Sequence, residues 1–253
     1  MTLSRFVALL FALGIPSSAW AVPTAPSPVP GGIEPGADVR AFFTQGDVSY
    51  LAELNAIYQT NDRHFVSGTV GAYDRLIENL KVGAFFSRAY GLRHDEDWFS
   101  TNGQWGWTNT NGRGENLLIG DVSPVATLDF LPGKNWVGEF KTRYIYDTFD
   151  AQQTLMVRPG LRYFWLRDDR PFVSLFFQVQ ANFPLNYGVK TIYEKWFYAG
   201  ALYRIAGQID LGGFVATKWE TWGNTQDFID RGGAPYAITT QTWDLTAVMI
   251  LQL

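Results

Sequence analysis

The chain has 253 residues, no cysteine, two histidines and a formal net charge of −4. This length fits one large all-β domain or two ordinary domains. The lack of cysteine excludes a disulfide framework and thiolate chemistry, and the mild acidity offers no basic patch for nucleic acid. Charged residues make up 17% and aromatic residues 16%, so the chain is either unusually apolar for a soluble protein or in contact with lipid.

Residues 1–21 have the three parts of a secretory signal peptide. Arg5 lies near the start, an apolar run covers 6–15, and Ala19-Trp20-Ala21 supplies the small residues of a cleavage site. The alternative, a membrane anchor, needs about 18 or more apolar residues, and Pro16 interrupts the run. We therefore expect cleavage after Ala21 and export from the cytoplasm.

Residues 22–46 begin with a stretch rich in proline and glycine. This composition predicts an extended periplasmic tether. The end of this region, "ADVRAFFTQG" at 37–46, fits a short helix or an additional strand.

From residue 47 to 253 the sequence has a two-residue rhythm, which is typical of strands with two unlike faces. The predicted strands are 47–60, 64–73, 78–90, 116–130, 136–147, 154–166, 172–183, 193–205, 209–222 and 239–252. They exceed the about 5–6 residues usual in soluble strands and suffice for a transmembrane strand of about 9–11 residues. We predict an all-β fold, an antiparallel up-and-down transmembrane barrel of ten strands, or twelve if 38–46 and part of the long loop also pair.

The predicted connections differ in length at the two ends of such a barrel. Those after the second, fourth, sixth and eighth strands are short, whereas those after the third, seventh and ninth are longer. Short turns at one end and long loops at the other are typical of outer-membrane barrels. An even strand count predicts that both chain ends lie at the short-turn end.

Along 136–147, Trp136, Phe140 and Tyr144 alternate with Glu139 and Lys141. A soluble lipocalin-like barrel would turn the apolar set inward, and an outer-membrane barrel would turn it towards lipid. Rings at the ends of the apolar face favour the second arrangement, because Tyr and Trp suit the membrane–water interface. The predicted interface aromatics are Tyr50, Tyr58, Trp136, Tyr144, Tyr146, Tyr163, Trp165 and Trp243.

This pattern resembles bacterial outer-membrane β-barrel proteins of the porin-like kind over residues 47–253. The segments "YIYD" (144–147), "PGL" (159–161), "PFVSL" (171–175) and "NYG" (186–188) also resemble the middle of nucleoside-specific outer-membrane channels. These resemblances imply outer-membrane lipid and the barrel-assembly machinery as partners, and small polar or nucleoside-like solutes as cargo.

The polar face of the strands predicts the lining of a pore. The predicted lining residues are Glu53, Lys81, Asp121, Glu139, Lys141, Arg143, Arg158, Arg162, Gln178, Gln180, Glu194, Lys218, Glu220 and Asp244. Two interpretations use the same residues: a salt-bridged plug, or a constriction whose basic side faces carboxylates across the lumen and sets a transverse field. Inward rings such as Trp196 and Tyr198 either fill space or stack with flat solutes.

We assign no catalytic residue, metal site or cofactor. His64 and Ser67 are three apart and therefore on opposite faces of a strand, which excludes a local His–Ser pair. His94 lies beside three carboxylates in the 91–115 loop; this group fits a solvated loop, a cation site or an acid–histidine pair.

The sequence thus predicts a non-enzymatic porin, a narrow channel for passive transport of small polar solutes in the outer membrane of a Gram-negative bacterium. The alternatives are a structural or surface-interaction barrel with a closed lumen, an outer-membrane hydrolase using His94, and a soluble periplasmic barrel.

Overall fold

The structure is a computed structural model. It describes residues 31–59, 63–91, 98–101, 104–107, 114–133, 135–149, 151–186, 194–223 and 237–253. The predicted signal peptide, residues 22–30 of the predicted tether and His94 lie outside these residues. The described residues include no helix that is long and apolar enough to cross a membrane.

The described elements are all strands. They are β1 Ile33–Gln45, β2 Val48–Gln59, β3 Arg63–Ile77, β4 Leu80–Tyr90, β5 Trp98–Thr101, β6 Gln104–Trp107, β7 Gly114–Thr127, β8 Trp136–Asp147, β9 Gln153–Arg167, β10 Arg170–Pro184, β11 Glu194–Ala206, β12 Ile209–Gly223 and β13 Ala237–Gln252. Eleven of them form a closed barrel in the order β1-β13-β12-β11-β10-β9-β8-β7-β4-β3-β2. The hairpin β5–β6 is a separate sheet in the long connection between β4 and β7. The prediction of an all-β barrel is confirmed.

The connections have the predicted asymmetry in part, because the short-turn end also has the eight-residue connection 128–135 and the other end also has the short connections 60–62 and 148–152. The turns after β1, β3, β9 and β11 are two residues each, 46–47, 78–79, 168–169 and 207–208, and all lie at one end of the barrel. Asp168 and Asp169 both have positive φ, 52° and 59°, as a two-residue hairpin turn that matches the strand twist requires. The connections at the other end include 91–113, 185–193 and 224–236.

Three expectations about the start of the barrel were wrong. Residues 33–45 form β1, so the alternative of an additional strand at 37–46 is confirmed over a tether there, and the barrel has eleven strands instead of ten or twelve. β1 pairs antiparallel with β2 but parallel with β13, from Ile33↔Trp243 to Phe42↔Gln252, so the barrel is not antiparallel throughout. Because the count is odd, β1 begins at the long-connection end, whereas the chain ends at the short-turn end.

The sequence of β1 accounts for this placement. Glu34, Asp38 and Arg40 point inward, while Ile33 and Val39 occupy the outward positions, so the two-residue alternation is present. Pro35 pairs only with β13, because the pairing with β2 begins at Gly36. Pro35 has no N–H to donate, and this is tolerated because no β2 residue pairs with it.

Outward side chains of the barrel are apolar and exposed. Examples are Leu54, Val70, Phe140, Phe177 and Leu245, which are 64%, 56%, 49%, 53% and 50% exposed. The inward side chains are a mixture of buried charges and two apolar clusters. One cluster comprises Leu51, Phe85, Leu117, Ile119 and Ile145, and the other comprises Phe176, Leu202 and Val248. The interior is thus less uniformly polar than the alternation predicted.

Two prolines interrupt the hydrogen-bonded ladder on either side of the β8–β9 pair. The pairing of β7 with β8 has a gap between Val122↔Thr142 and Val125↔Glu139, at Pro124. The pairing of β9 with β10 has a gap between Gln178↔Gly160 and Ala181↔Val157, at Pro159. Both gaps follow from the missing N–H of proline, which cannot donate to the ladder. In contrast, the pairing between β8 and β9 is continuous.

Close backbone approach at Gly212 provides a test of this wall. A Cβ at Gly212 would lie 1.9 Å from the carbonyl oxygen of Ala201, whereas a Cβ at Gly120 would meet nothing within 4 Å. We expect Gly212→Ala to lower the free energy of unfolding by about 1–3 kcal/mol, as overpacking does, and Gly120→Ala to leave it unchanged. Urea unfolding of the purified protein measures both; equal midpoints for the two variants would contradict the close approach at Gly212.

Candidate functional site

The barrel encloses a cavity of about 800 Å³. Its lining reaches from Thr44, Ser49 and Arg75, beside the two-residue turns, to Trp196 and Tyr198 deeper inside. Near the long connections it is lined by Ile57, Phe65, Ala89 and Leu117, on β2–β4 and β7. Other inward residues at that end do not line it and are buried: Glu115, Asp147, Asn182, Glu220 and Thr240. The cavity, which we call the vestibule, therefore extends from the short-turn end along β2–β4 to the long-connection end, beside a group of packed polar residues.

All fourteen predicted lining residues occupy inward positions. Those that line the cavity are Glu53, Lys81, Glu139, Lys141, Arg143, Arg158, Arg162, Gln178 and Asp244. The others are packed among inward side chains: Asp121, Gln180, Glu194, Lys218 and Glu220. Their orientation follows the predicted alternation; their part in solute passage remains a prediction.

Asp121 organises the basic side of the interior, on β7 and β8. Arg143 Nε donates to Asp121 Oδ2 over 2.7 Å, and the Ser123 hydroxyl donates to Oδ1 over 2.5 Å. Lys141 Nζ lies 3.8 Å from Oδ2 and donates to the Tyr73 hydroxyl over 3.1 Å. A single buried carboxylate thus holds two cations and one hydroxyl, as buried charges require.

Lys218 organises the acidic side, where β11, β12 and β13 meet β1. Its Nζ lies 3.4 Å from Glu34 Oε2 and 3.6 Å from Glu220 Oε2. Asp244 is also almost fully buried here, and Glu194 accepts a hydrogen bond from Asn182. Four carboxylates therefore surround one ammonium group, which leaves this wall formally negative.

These two groups lie on opposite walls. β8 and β13 are five places apart in an order of eleven strands, which is as far as a closed barrel of this size allows. The β7–β9 wall carries Lys141, Arg143, Arg158 and Arg162 against Asp121 and Glu139. The formal charges of the interior are thus segregated across its width, in the arrangement that the constriction hypothesis describes.

Further ion pairs occur between neighbouring inward residues. Arg40 donates to both carboxylate oxygens of Asp38, over 3.0 and 2.5 Å, and its Nε lies 3.4 Å from Glu53 Oε2. Arg204 donates to both oxygens of Asp210, over 2.7 and 2.8 Å. In contrast, Arg158 and Arg162 have no carboxylate within 4 Å among the residues that the structure describes.

The inward rings pack on one another. Trp196 and Tyr198 are stacked at 5.3 Å with an interplanar angle of 4°, and Tyr198 meets Phe214 edge-on at 5.5 Å. Lys218 Nζ lies 5.1 Å from the Trp196 ring. Each ring thus contacts neighbouring side chains and also lines the cavity, so this geometry is compatible with both space filling and stacking with a solute.

The predicted interface aromatics all occupy outward positions, in two groups. Near the short-turn end are Tyr50, Trp136, Tyr163 and Trp165, and the Trp136 and Tyr163 rings are 4.9 Å apart. Nearer the long-connection end are Tyr58, Tyr144 and Tyr146, together with Trp243, which pairs with the first residue of β1. Their positions follow the predicted two belts.

Sequence reasoning missed the inward residues of β1 and the role of Tyr73. Glu34, Asp38 and Arg40 alternate with apolar residues, but Pro35 and Gly36 concealed that signal in a region assigned to a tether. Tyr73 shares its face with Thr69, so period-two counting along β3 would have placed it inward. No group of histidines and carboxylates that could hold a metal occurs within the described part of the chain.

Comparison of the chain with protein-family models, curated proteins and solved structures found no match.

Asp121 provides the test of the basic wall. We expect Asp121→Asn to destabilise the barrel by about 3–5 kcal/mol, the usual cost of removing one partner of a buried ion pair, because Arg143 and Lys141 lose their shared carboxylate. Asp129→Asn makes the same chemical change in an exposed turn and should stay within about 0.5 kcal/mol. Urea unfolding compares them; a small effect of Asp121→Asn would argue against a structural role of this cluster.

Proposed function

We propose that the chain is a bacterial outer-membrane barrel, exported by a cleaved signal peptide and inserted by the barrel-assembly machinery. The outward face supports this proposal, because its exposed side chains are mainly aliphatic in the middle of the strands and aromatic near their ends. A continuous apolar surface around a barrel is unfavourable in water and favourable in lipid. A closed barrel also satisfies its own backbone hydrogen bonds, as the bilayer demands.

Within the membrane we propose a narrow pore for the passive diffusion of small polar solutes. This proposal rests on the cavity between a basic and an acidic wall. Walls of opposite charge set up a transverse field, which filters solutes by charge and orientation. About eight strands leave an interior just filled by side chains, and much wider barrels leave an open channel. Eleven strands therefore predict a lumen narrow enough for its side chains to select.

One observation favours a second candidate, a structural or surface-interaction barrel with a closed lumen. Glu115, Asp147, Glu220 and Thr240 are buried at the long-connection end and occupy part of the lumen there. If they and the inward side chains of β2–β4 close the lumen, the barrel is a closed one; if they leave a path for water and ions, they form the constriction of the pore.

The outward position of Leu54 tests the membrane assignment. Leu54→Arg should destabilise a barrel in lipid by about 2–4 kcal/mol, the cost of arginine at the bilayer midplane. In a soluble barrel the same exposed position would accept arginine with little effect. Unfolding of wild type and variant in phospholipid vesicles makes the comparison. Release of the wild-type protein from carbonate-washed membranes would independently contradict the proposal.

Conductance in a planar bilayer tests the pore. Wild-type protein should give a stable ohmic current, and Arg158→Glu should shift ion selectivity towards cations because it reverses a charge that lines the cavity. Arg167→Glu reverses a charge at the exposed end of β9 and should leave selectivity unchanged. The absence of current from folded wild-type protein would support the closed barrel.

A further inference from the structure

Arg158 and Arg162 differ from three other inward arginines, Arg40, Arg143 and Arg204, in their partners. Arg40, Arg143 and Arg204 each have a carboxylate within 4 Å. Arg158 and Arg162 line the same cavity, yet no described carboxylate lies that close to either. A guanidinium group that is half-buried without a fixed anionic partner has unsatisfied donors and favours an anion from solution.

Lys141, the neighbour of Arg158 on β8, makes an anion beside Arg158 still more favourable. Lys141 lies directly opposite Arg158 in the ladder, and like charges in directly opposite positions repel each other. The carboxylate nearest Lys141, Asp121, is already engaged by Arg143 and by Ser123. Arg158 therefore faces a cation where the paired arginines of the barrel face a carboxylate.

Gly160 lies between the two arginines on β9, and Gln178 of β10 covers it. Gly160 pairs with Gln178, and a Cβ on Gly160 would lie 2.9 Å from Gln178 Cγ and 3.5 Å from its Nε2. The Gln178 side chain thus lies over the glycine, between the positions of Arg158 and Arg162. Within the described part of the chain, its amide forms no hydrogen bond, so an N–H donor remains available beside the guanidinium groups.

We propose that Arg158, Gln178 and Arg162 form a binding site for a small oxyanion, a phosphate or carboxylate group, inside the vestibule. Guanidinium groups bind such groups through paired N–H donors, and the Gln178 amide adds a neutral donor. The cavity volume falls within the range of about 300–1,000 Å³ usual for ligand pockets, so there is room for a small body attached to the anion. The proposal deepens the proposed function by naming the class of solute, and it rests on that function for its biological role.

Glu139 sets the affinity of this site. It pairs with Gly160 from the β8 side and lines the cavity, so one negative charge lies near two positive charges at more than ion-pair distance. Glu139 should weaken anion binding without cancelling it, because the local formal charge stays positive.

Isothermal titration of the folded, detergent-solubilised barrel with inorganic phosphate and, separately, with acetate tests the site at low ionic strength. Arg158→Gln and Arg162→Gln should each weaken binding by about tenfold or more, since each removes charge-assisted hydrogen bonds. Glu139→Gln should tighten binding several-fold. Arg167→Gln removes the same charge from an exposed position on the same strand and should leave the affinity unchanged; circular dichroism verifies that each variant is folded.

The outcomes separate the two proposals. Wild-type protein that binds neither anion, cavity variants that bind as tightly as wild type, an equal loss in Arg167→Gln, or weaker binding in Glu139→Gln would each overturn the site. Phosphate binding without acetate binding would assign the site to phosphate groups, and the reverse to carboxylates. A barrel that binds an anion but carries no current retains the site and rejects the pore, whereas a conducting barrel without binding retains the pore and rejects the site.

Discussion

The parallel ladder between β1 and β13 is the contact on which the rest of the barrel depends. Without it, β1, which would still pair with β2, and β13 would each present a row of unpaired N–H and C=O groups at an open sheet edge. Closure also creates an interior and an exterior, so that alternate residues of every strand face one or the other. The apolar set then faces outward, and the charged set is confined to a space where every charge needs a partner.

The charged side chains of the interior differ in how completely they are paired. Asp121, Arg143, Lys141 and Ser123 form a compact network on one wall, and Lys218 sits among carboxylates on the other. Such networks stabilise the barrel only while every member is satisfied. The unpaired guanidinium groups lie between these networks, on β9, facing the cavity. Paired interior charges therefore stabilise the wall, whereas the unpaired guanidinium groups form the anion site proposed above.

Whether a strand residue faces inward or outward could mostly be predicted from the sequence, because successive side chains of a strand alternate between its two faces. Residues such as Arg158 and Tyr58 could be placed on a face without any knowledge of their neighbours. The strand count could not be obtained in this way, since Pro35 and Gly36 resemble a tether until β13 is known to lie beside them. The pairing of charges was also out of reach, because Lys218 and Glu34 are distant in sequence and meet only through the closing ladder. Nor does the sequence indicate which arginines lack a carboxylate, since this depends on register.

Pro124 and Pro159 have a mechanical consequence. β8 and β9 form a two-stranded panel with continuous internal bonding, and each outer seam of that panel lacks backbone bonds at one level. Regions with fewer backbone hydrogen bonds open at lower free energy than their surroundings. The panel carries Lys141, Arg143, Arg158 and Arg162, so both interrupted seams flank the cationic side of the barrel. Opening of these seams would change the width of the cavity where its positive charges are concentrated.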